Sequence, residues 1–349
     1  MRYPDFIKKN DRIAYIAPSF GCTTEPYRSC FNNAIHKMES IGFLSDMGVN
    51  CFEDKGVGIS NTPIQCAAEF MNAYSSENNN AIISVGGGEL MCEILPYIDF
   101  YTLANMKPKW FMGFSDNANL TFLLNTICDV ASVYGPCAQS FGMENWHPSH
   151  MNAIGLLTGD LKRISGYGKW ERESLKTPEN PLCSYNLTED TVLKKYIGRG
   201  MVSCLDEETI SFSGRLIGGC LDVLTNLAGT KFDVVVQFNE KYSDDGIIWF
   251  LESCDLNVFD MRRAMWHLDQ CGWFKYVKGF IIGRPLDFNN EMMGLDQYTA
   301  ILDVASKFDV PVIMDADLGH LPPSMPLISG SFADVNVKGN DIDINFRFI

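Results

Sequence analysis

The sequence predicts an α/β fold in which a parallel β-sheet is covered by helices on both faces. Two observations lead to this prediction. Strand-like and helix-like patterns alternate along the first 140 residues, and a second series of such elements begins near residue 209. Strands that alternate with helices of this length form βαβ units, whose strands lie parallel. A chain of 349 residues is also long for one domain and comfortable for two.

The first series of elements can be read in order from hydrophobic periodicity and turn signals. Strands are predicted at DRIAYIAPSF, AIISVGGG, KWFMGFS and VASVYGP. Helices are predicted at PYRSCFNNAIHKMESIG, which Gly42 ends, and at PIQCAAEFMNAYSS, which Thr62 caps. Another helix should follow KWFMGFS, because Leu120, Leu123 and Leu124 recur at helical spacing.

Between Met143 and Glu208 the regular pattern degrades into segments rich in Pro, Gly, Asn and charge, which predicts a linker or lid. The second series comprises TISFSGRLIGGCLDVLTNLAGT, the strand GIIWFLESCD, the amphipathic helix VFDMRRAMWHLDQCGWF, and the strands VKGFIIGRPLD and VPVIMDADLGH. The alternating segment DVNVKGNDIDINFRFI predicts a closing hairpin with a Gly-Asn turn. We therefore expect an N-terminal domain at 1–142, a linker or lid at 143–208 and a C-terminal domain at 209–349.

Composition and charge disfavour several classes of partner. The net charge of −15 argues against binding to nucleic acid or to an anionic membrane surface, so a small or uncharged substrate suits the chain better. The N-terminus lacks the apolar run of a signal peptide, and no segment approaches the roughly 18 apolar residues of a membrane span. We expect a cytoplasmic protein. The twelve cysteines form no C-x-x-C pair, which favours reduced thiols over disulfides or a zinc site.

Three reactive side chains follow predicted strands, where the catalytic groups of parallel α/β sheets lie. Ser115 follows KWFMGF, Glu252 follows IIWFL, and His320 follows PVIMDADLG. A hydroxyl, a carboxylate and an imidazole are the parts of a catalytic triad, which geometry defines independently of chain order. Each residue also has a structural alternative. Ser115 could cap the next helix, Glu252 could pair with Arg262 or Arg263, and His320 could simply be a loop histidine.

The segment SVGGGEL, residues 84–90, places three glycines after a predicted strand. Glycines there let the backbone approach a ligand closely and present its amides. A phosphate-binding loop is weakly indicated, because neither G-x-x-x-x-G-K-[ST] nor G-x-G-x-x-G is complete. Two interpretations stay open. The loop could supply one amide of an oxyanion hole, with the amide of Asp116 as the other, or it could be a tight turn before a helix at Glu89.

Taken together, these motifs resemble those of the LD-carboxypeptidase family of serine peptidases, which includes the microcin C immunity proteins. The matching segments are DRIAYIAPS, ISVGGGE, GFSDNANL, LIGGCLDVLTNLAGT, IIWFLES, IIGRP and DLGH. The resemblance extends in the same order from about residue 11 to residue 335 and is poorest in the linker. The amino-acid sequence of the glycine loop is closer to that of the immunity-protein branch.

The resemblance implies a doubly wound N-terminal α/β domain joined to a C-terminal α/β domain, with the active site in the cleft between them. It implies that Ser115 is the nucleophile, Glu252 the orienting acid and His320 the base. The family works without a metal or an organic cofactor and commonly forms homodimers, so we expect the same of this chain.

The resemblance also assigns the oxyanion hole to the amides of Gly87 and Asp116, with Gly86 as the nearest alternative to Gly87. One residue departs from the family pattern. Cys220 stands where the family usually has Asn after the paired glycines, so whatever that Asn arranges is not carried over.

Two substrates fit the resemblance: a murein tetrapeptide that loses its terminal D-alanine, and a peptidyl or aminoacyl nucleotide that is cleaved at an amide. In the immunity branch an aromatic residue of the linker stacks on the nucleotide. Trp170 and Tyr185 are the candidates here, with ordinary partial burial as the alternative for both. A non-catalytic protein that binds a peptide or muropeptide in the same cleft is the main alternative function, although all three triad positions are intact. An oxidoreductase built on VGGGE is disfavoured by its incomplete fingerprint.

Overall fold

The computed structural model describes residues 1–197, 202–203 (backbone only) and 208–349, and the chain forms two compact units. The first unit comprises Met1–Leu161, Glu173–Asn186 and Pro326–Ser329. The second unit comprises Lys162–Arg172, Leu187–Met325 and Gly330–Ile349. Both units combine helices with a β-sheet that contains parallel strands, which confirms the predicted α/β class.

The helices and strands are numbered in chain order. The helices are α1 Tyr27–Ser40, α2 Pro63–Ser75, α3 Phe100–Asn105, α4 Ala118–Thr126, α5 Pro148–Thr158, α6 Leu221–Leu227, α7 Val235–Lys241, α8 Val258–Gln270 and α9 Gln297–Ala305. The strands are β1 Arg12–Ile16, β2 Leu44–Met47, β3 Ala81–Ser84, β4 Trp110–Gly113, β5 Ser132–Tyr134, β6 Arg163–Ser165, β7 Lys169–Glu171, β8 Leu187–Asp190, β9 Lys194–Ile197, β10 Val202–Ser203, β11 Thr209–Cys220, β12 Ile247–Glu252, β13 Val277–Gly283, β14 Val312–Ala316, β15 Leu327–Ser329, β16 Phe332–Lys338 and β17 Asp341–Arg347. Short 3₁₀ helices cover Met91–Tyr97, Ser115–Asn117, Ala138–Gly142 and Ser306–Phe308.

The sheet of the first unit has the strand order β15-β5-β4-β3-β1-β2. Strands β1 to β5 pair in parallel, and β15 adds an antiparallel edge. Strand β2 lies on one side of β1. Strands β3, β4 and β5 follow one another on its other side. The strand order therefore reverses between β1 and β3, which makes the sheet doubly wound, as predicted. In such sheets the crevice outside the carboxyl ends of the strands at this reversal is the usual ligand site.

The elements of the first unit form for reasons that are visible in the sequence. Every residue of β3 and β4 is buried, as expected for strands that are covered on both faces. Helix α2 begins with Pro63, and the Thr62 hydroxyl accepts from the Gln65 amide at 3.4 Å, which confirms the predicted cap. Gly42 follows α1 with a φ of +103°, a conformation that favours glycine.

The sheet of the second unit has the order β10-β9-β14-β13-β12-β11-β16-β17-β6. Strands β11 to β14 are parallel, and antiparallel strands extend the sheet on both sides. Strands β16 and β17 pair around Gly339 and Asn340, which confirms the predicted hairpin and its turn. Every residue of β12 is buried, so its last residue, Glu252, is carried on a rigid central strand.

Residues 143–208, for which the sequence predicts a linker or lid, contain helix α5 and strands β6 to β10. Their described parts are divided between the two units. Helix α5 has local end signals, because the His147 ring accepts from the Ser149 amide at 3.2 Å and Gly159 ends the helix with a φ of +77°. Strands β6 to β9 have only three or four residues each, which is too short for a clear period-2 pattern. Residues 198–201 and 204–207 of this segment lie outside the described residues, and its behaviour as a lid stays a prediction.

Within the described parts of the chain, no helix has both the length and the apolar character that crossing a membrane requires.

Candidate active site

Ser115 lies in a sharp turn between β4 and α4. The strand ends at Gly113, and a single 3₁₀ turn precedes the helix. The φ of Ser115 is +63°, in the left-handed region that residues with side chains rarely adopt, and its N–H donates to the Tyr134 hydroxyl at 3.3 Å. The N-cap positions of the turn and of α4 are Phe114 and Asn117, so Ser115 does not occupy the position of a capping serine. A strained serine between a strand and a helix has the geometry of a nucleophile elbow.

The glycine loop after β3 passes directly against Ser115. A methyl group placed on Gly87 would lie 3.2 Å from both Cβ and Oγ of Ser115, a tight contact that would require Ser115 to shift by a few tenths of an ångström. Two hydrogen bonds hold the loop here. The Asn117 side chain donates to the Gly86 carbonyl at 2.8 Å, and the Phe20 amide donates to the Gly87 carbonyl at 2.8 Å. The loop could be part of an oxyanion hole or a simple tight turn, and its proximity to Ser115 favours the oxyanion hole.

The Asp116 carboxylate is buried beside the elbow and accepts three hydrogen bonds. Its donors are the Ser19 hydroxyl at 2.6 Å, the Met91 amide at 2.9 Å and the Asn119 side chain at 3.0 Å. Burial raises the pKa of Asp116 to about 6, although these donors favour the ionised form. The carboxylate is therefore ionised at neutral pH but can be protonated in mildly acidic solution.

Glu252 and His320 form a close pair in the second unit. The Nδ1 atom of His320 lies 2.7 Å from Oε2 of Glu252, whose side chain is fully buried, while the imidazole is 14% exposed. Two glycines make room for this contact. A methyl group on Gly319, which has a φ of +104°, would lie 2.6 Å from Oε2 of Glu252, and one on Gly283 would lie 2.2 Å from the Leu318 carbonyl oxygen. The turn that carries His320 can therefore rest directly on the carboxylate.

The alternative pairing of Glu252 with a neighbouring arginine is wrong. Arg262 forms an ion pair with Asp303, and Arg263 forms one with Asp260 on the same helix. The Glu252 carboxylate instead accepts from His320, as the carboxylate of a triad does.

The pKa of His320 is raised well above its ordinary value. Burial alone would lower it, but the Glu252 carboxylate and the Cys254 side chain favour the imidazolium and outweigh burial. Nδ1 of the ring faces Glu252, and the histidine of a catalytic triad exchanges its proton at the opposite ring nitrogen, Nε2.

The predicted residues thus form two groups, one in each unit. Ser115, Asp116 and the glycine loop belong to the first unit, and Glu252 and His320 belong to the second. The N-terminal domain of the LD-carboxypeptidase family matches residues 13–135 of the chain, and its C-terminal domain matches residues 213–335. The chain belongs to the LD-carboxypeptidase family. The resemblance stated from the motifs is confirmed, and the family is one of peptidases.

Curated relatives of this LD-carboxypeptidase family member match it over nearly the whole chain. A carboxypeptidase homologue of Vibrio cholerae is 23% identical, and the alignment covers 100% of this chain and 99% of that protein. The Bacillus subtilis protein named "Probable murein peptide carboxypeptidase" is 21% identical, with 95% of this chain and 91% of that protein covered. At these identities the relatives do not assign a substrate to this chain.

Solved structures share the fold. An MccF-like protein from Bacillus anthracis has a TM-score of 0.80 at 22% identity, covering 99% of this chain and 100% of that one. The microcin C7 self-immunity protein MccF, in complex with aspartyl sulfamoyl adenosine, has a TM-score of 0.79 at 20% identity, with both chains fully covered. A muramoyltetrapeptide carboxypeptidase from Oxalobacter formigenes has a TM-score of 0.70 at 21% identity, covering 97% of this chain and 99% of that one.

Cys220, the residue that departs from the family pattern, lies next to Glu252. The two residues are register partners on the parallel strands β11 and β12. Burial, followed by the charge of Glu252, raises the pKa of the Cys220 thiol well above its ordinary value, and Sγ lies 3.3 Å from Oδ2 of Asp222. The Cys220 thiol is therefore uncharged. It lies beside the Glu252 carboxylate, at a position where the family pattern has a side-chain amide. In the described part of the chain, no group of three or more His, Cys, Asp or Glu side chains could hold a metal ion.

Both aromatic candidates of the predicted linker, Trp170 and Tyr185, pack against neighbouring side chains. Trp170 is only 4% exposed, and it lies between the Arg284 guanidinium, 4.9 Å from its ring centre, and Phe288, at 5.2 Å. Tyr185 is half-buried and stacks on His150 at 5.7 Å between ring centres. Trp170 occupies the packed position that was the alternative to ligand stacking, which leaves little of its ring available to a substrate.

Sequence reasoning missed the side chains that support these groups. Asn117 and the Asp116 carboxylate fix the elbow, and the Ser19 hydroxyl reaches that carboxylate from the turn after β1. In the second unit, Arg284 follows β13 and Asp317 follows β14, the next two strands along the sheet from β12, and the two residues form a fully buried ion pair. One signal was available, because each of these residues lies within a motif of the resemblance: APS, GFSDN, IIGRP and DADLGH.

Proposed function

We propose that this protein is a serine peptidase of LD-carboxypeptidase type that hydrolyses an amide bond in a small peptide-like substrate through an acyl-enzyme. The observation that carries the proposal is the Ser115 elbow. This serine is held at a φ of +63°, and Gly87 lies against its hydroxyl. A structural serine needs neither the strain nor the glycine, whereas a nucleophile gains from both.

In the proposed mechanism, the Ser115 hydroxyl attacks the substrate carbonyl while Nε2 of His320 accepts its proton. Glu252 holds the imidazole by Nδ1 and stabilises the imidazolium, consistent with the 2.7 Å contact between them. His320 then gives the proton to the leaving amine, and a water molecule hydrolyses the acyl-enzyme. The proposal requires the hydroxyl of the first unit and the imidazole of the second to act on the same substrate. The predicted cleft remains part of the proposal.

The negative charge that forms on the carbonyl oxygen needs hydrogen-bond donors. We assign this role to the amides of Gly87 and Asp116, with Gly86 as the alternative to Gly87. The close approach of Gly87 to Ser115 supports the first choice. Losing one such donor typically costs about 10²–10³-fold in rate.

Two substrate classes are consistent with this mechanism. A murein tetrapeptide with a terminal D-alanine is suggested by the names of the Bacillus subtilis relative and the Oxalobacter formigenes structure. An aminoacyl nucleotide is suggested by the MccF complex with aspartyl sulfamoyl adenosine. The burial of Trp170 makes Tyr185 the better candidate of the two for stacking on a nucleobase.

The test is to incubate the purified protein separately with an L,D-linked murein tetrapeptide and with an aminoacyl adenylate analogue whose amide is intact, and to analyse the products by mass spectrometry. We expect one of them to be cleaved and Ser115→Ala to reduce the rate by at least about 10³-fold. Ser75→Ala, at an exposed serine near the end of α2, is the control and should leave the rate unchanged. Substantial hydrolysis by Ser115→Ala would rule out the assignment of the nucleophile.

The same preparation tests the non-catalytic alternative and the expected homodimer. A fluorophosphonate probe should label wild-type Ser115 but not Ser115→Ala, and a folded protein that resists the probe would favour the binding-protein alternative. Light scattering should give twice the mass of the chain if the dimer expected from the resemblance forms.

A further inference from the structure

The Asp116 carboxylate connects the loops that follow three adjacent strands of the first unit. Ser19 lies just after β1, Met91 begins the segment after the glycine loop of β3, and Asn119 lies in the first turn of α4, after β4. The strand order of the sheet reverses between β1 and β3, so this carboxylate sits where the active-site loops converge.

We propose that the Asp116 side chain is a positioning group that aligns the two halves of the oxyanion hole with Ser115. One half is the backbone amide of Asp116, which belongs to the same residue as the carboxylate and is therefore positioned by it. The other half is the glycine loop, whose far end is held by the bond from the Met91 amide to the carboxylate. This inference rests on the proposed function, because it assigns a purpose to the carboxylate only if Ser115 is a nucleophile.

Joining three loops through a buried carboxylate costs free energy that neutral side chains would avoid, which indicates that the geometry of the carboxylate matters. It is 4% exposed, and burial makes its ionised form unfavourable at this position. The Asn119 side chain directs its amide group at both the carboxylate and the carbonyl oxygen of Asp116, and its own oxygen is buried without a partner among the described residues. Such costs are common where side chains are selected for function and not for stability.

The ionised form is the one that can accept from all three donors at once. A protonated carboxyl group becomes a donor, so at least one of these three bonds must reverse its direction or break. Two titratable side chains face the carboxylate within the described residues, Glu89 and Cys92, and both lie on the segment that follows β3. The groups that face it from the other two loops, Ser19 and Asn119, are neutral.

The test compares the rate at which a fluorophosphonate probe labels Ser115 in the wild type and in Asp116→Asn. We expect the variant to be labelled about 10–100-fold more slowly, because displacement of an oxyanion donor weakens transition-state binding. Its melting temperature should not fall, because the buried charge is removed. Asp233→Asn is the matched control. Asp233 accepts from the Gly229 and Val235 amides and the Trp273 indole of the second unit, so this variant should lose stability but keep its labelling rate.

Labelling of Asp116→Asn at the wild-type rate would overturn the inference and leave the proposed function intact. A wild type that is labelled no faster than Ser115→Ala would overturn both. If Asp116→Asn is unstable, Ser19→Ala decides, since it removes one donor and leaves the charge in place. Slower labelling of a stable Ser19→Ala supports the inference, and an unchanged rate overturns it.

The pH profile gives a second readout that a purely structural role would not change. His320 must be neutral to act, so the logarithm of the labelling rate should fall with a slope of about 1 as the pH drops below its pKa. Below a pH of about 6, protonation of Asp116 should increase the wild-type slope to about 2. Asp116→Asn should keep a slope of about 1 throughout this range. A wild-type slope that stays near 1 would contradict the inference.

Discussion

At the scale of single residues, the site combines side chains whose charge states are set by burial and by one close partner. The pKa of His320 is raised, with burial opposing the shift and Glu252 driving it. Burial raises the pKa of Asp116 to about 6. Both shifts have consequences for activity and for stability that can be measured separately.

The first residue-scale prediction concerns His320. A raised pKa means that the imidazole stays protonated to a higher pH than an ordinary histidine does, so kcat/KM should rise with pH through an apparent pKa above about 6.5. Glu252→Gln should lower this apparent pKa, because burial remains when the carboxylate is removed, and it should reduce kcat by about 10²–10⁴-fold. The measurement is the pH profile of both proteins. An unchanged apparent pKa in the variant would contradict the assigned pairing.

The same pair should contribute to folding with a defined sign. Since the folded pKa of His320 lies above the unfolded value, its stabilisation is fully present below a pH of about 6.5 and is lost as the pH rises through the folded pKa. The destabilisation caused by Glu252→Gln should therefore be larger at pH 6 than at high pH, as judged from free energies of unfolding in urea.

The second residue-scale prediction concerns Asp116 and has a different pH window. Its folded pKa of about 6 exceeds the ordinary value of 3.8, so its contribution to stability is greatest below about pH 4 and is lost as the pH rises through 6. Between pH 4.5 and 7.5 the wild type should lose about 2 kcal/mol relative to Asp116→Asn. Urea unfolding of both proteins at the two pH values measures this difference. A constant difference would mean that the carboxyl group is not titrating in this range.

At the scale of elements, turns that only glycine permits bring the reactive groups to the ends of their strands. Gly319 is the sharpest case, because a methyl group there would meet the Glu252 carboxylate at 2.6 Å and the backbone is already at a φ of +104°. The turn can therefore place His320 on Glu252 only when residue 319 has no side chain.

The element-scale prediction compares two glycines with similar backbone strain. Gly319→Ala should destabilise the protein by roughly 1–3 kcal/mol and sharply reduce activity, because both the clash and the strain displace the turn. Gly229 has a φ of +76°, and a methyl group placed on it would meet no atom within 4 Å, so Gly229→Ala carries strain without a clash. It should cost roughly 1–2 kcal/mol and leave kcat unchanged. Equal kcat values for the two variants would show that the clash does not reach the site.

Some of these elements could be predicted from the sequence and others could not. β12 and the strand before Ser115 are continuous apolar runs bounded by turn residues, so their ends, and the residues at those ends, could be located. The 2.7 Å contact between Glu252 and His320 could not, because 67 residues of chain lie between them and only the tertiary fold brings them together. The packing of Trp170 against Arg284 could not be predicted either, because an aromatic residue in a polar segment of sequence does not reveal which side chains surround it.

At the scale of the whole molecule, neither unit is a continuous stretch of chain. The first unit takes Pro326–Ser329 from near the end of the sequence, and β15 within it pairs with β5. The contact is reinforced by Asn125, whose side chain donates to the Ser329 carbonyl at 3.2 Å and accepts from the Ser329 hydroxyl at 2.5 Å. A strand of three residues is too short to be recognised from sequence patterns, so the return of β15 to the first unit could not be predicted.

The whole-molecule prediction is that residues 1–161 do not form a stable unit by themselves. Without β15 the buried strand β5 becomes an open edge, and the Asn125 side chain loses its two hydrogen bonds with Ser329. Thermal unfolding of this fragment, followed by circular dichroism, should show no cooperative transition. A cooperative transition near that of the full chain would contradict the prediction.

The return of the chain to β5 also sets an order of events during protein synthesis. The ribosome produces the serine-bearing sheet early, but the strand that closes its edge is translated only after residue 326, when about nine-tenths of the chain has been made. By then Glu252 and His320 have also been translated. A nascent chain therefore cannot present a finished serine unit before the residues that would activate the serine exist. A prematurely terminated product would retain an exposed sheet edge, which is prone to pair with other chains.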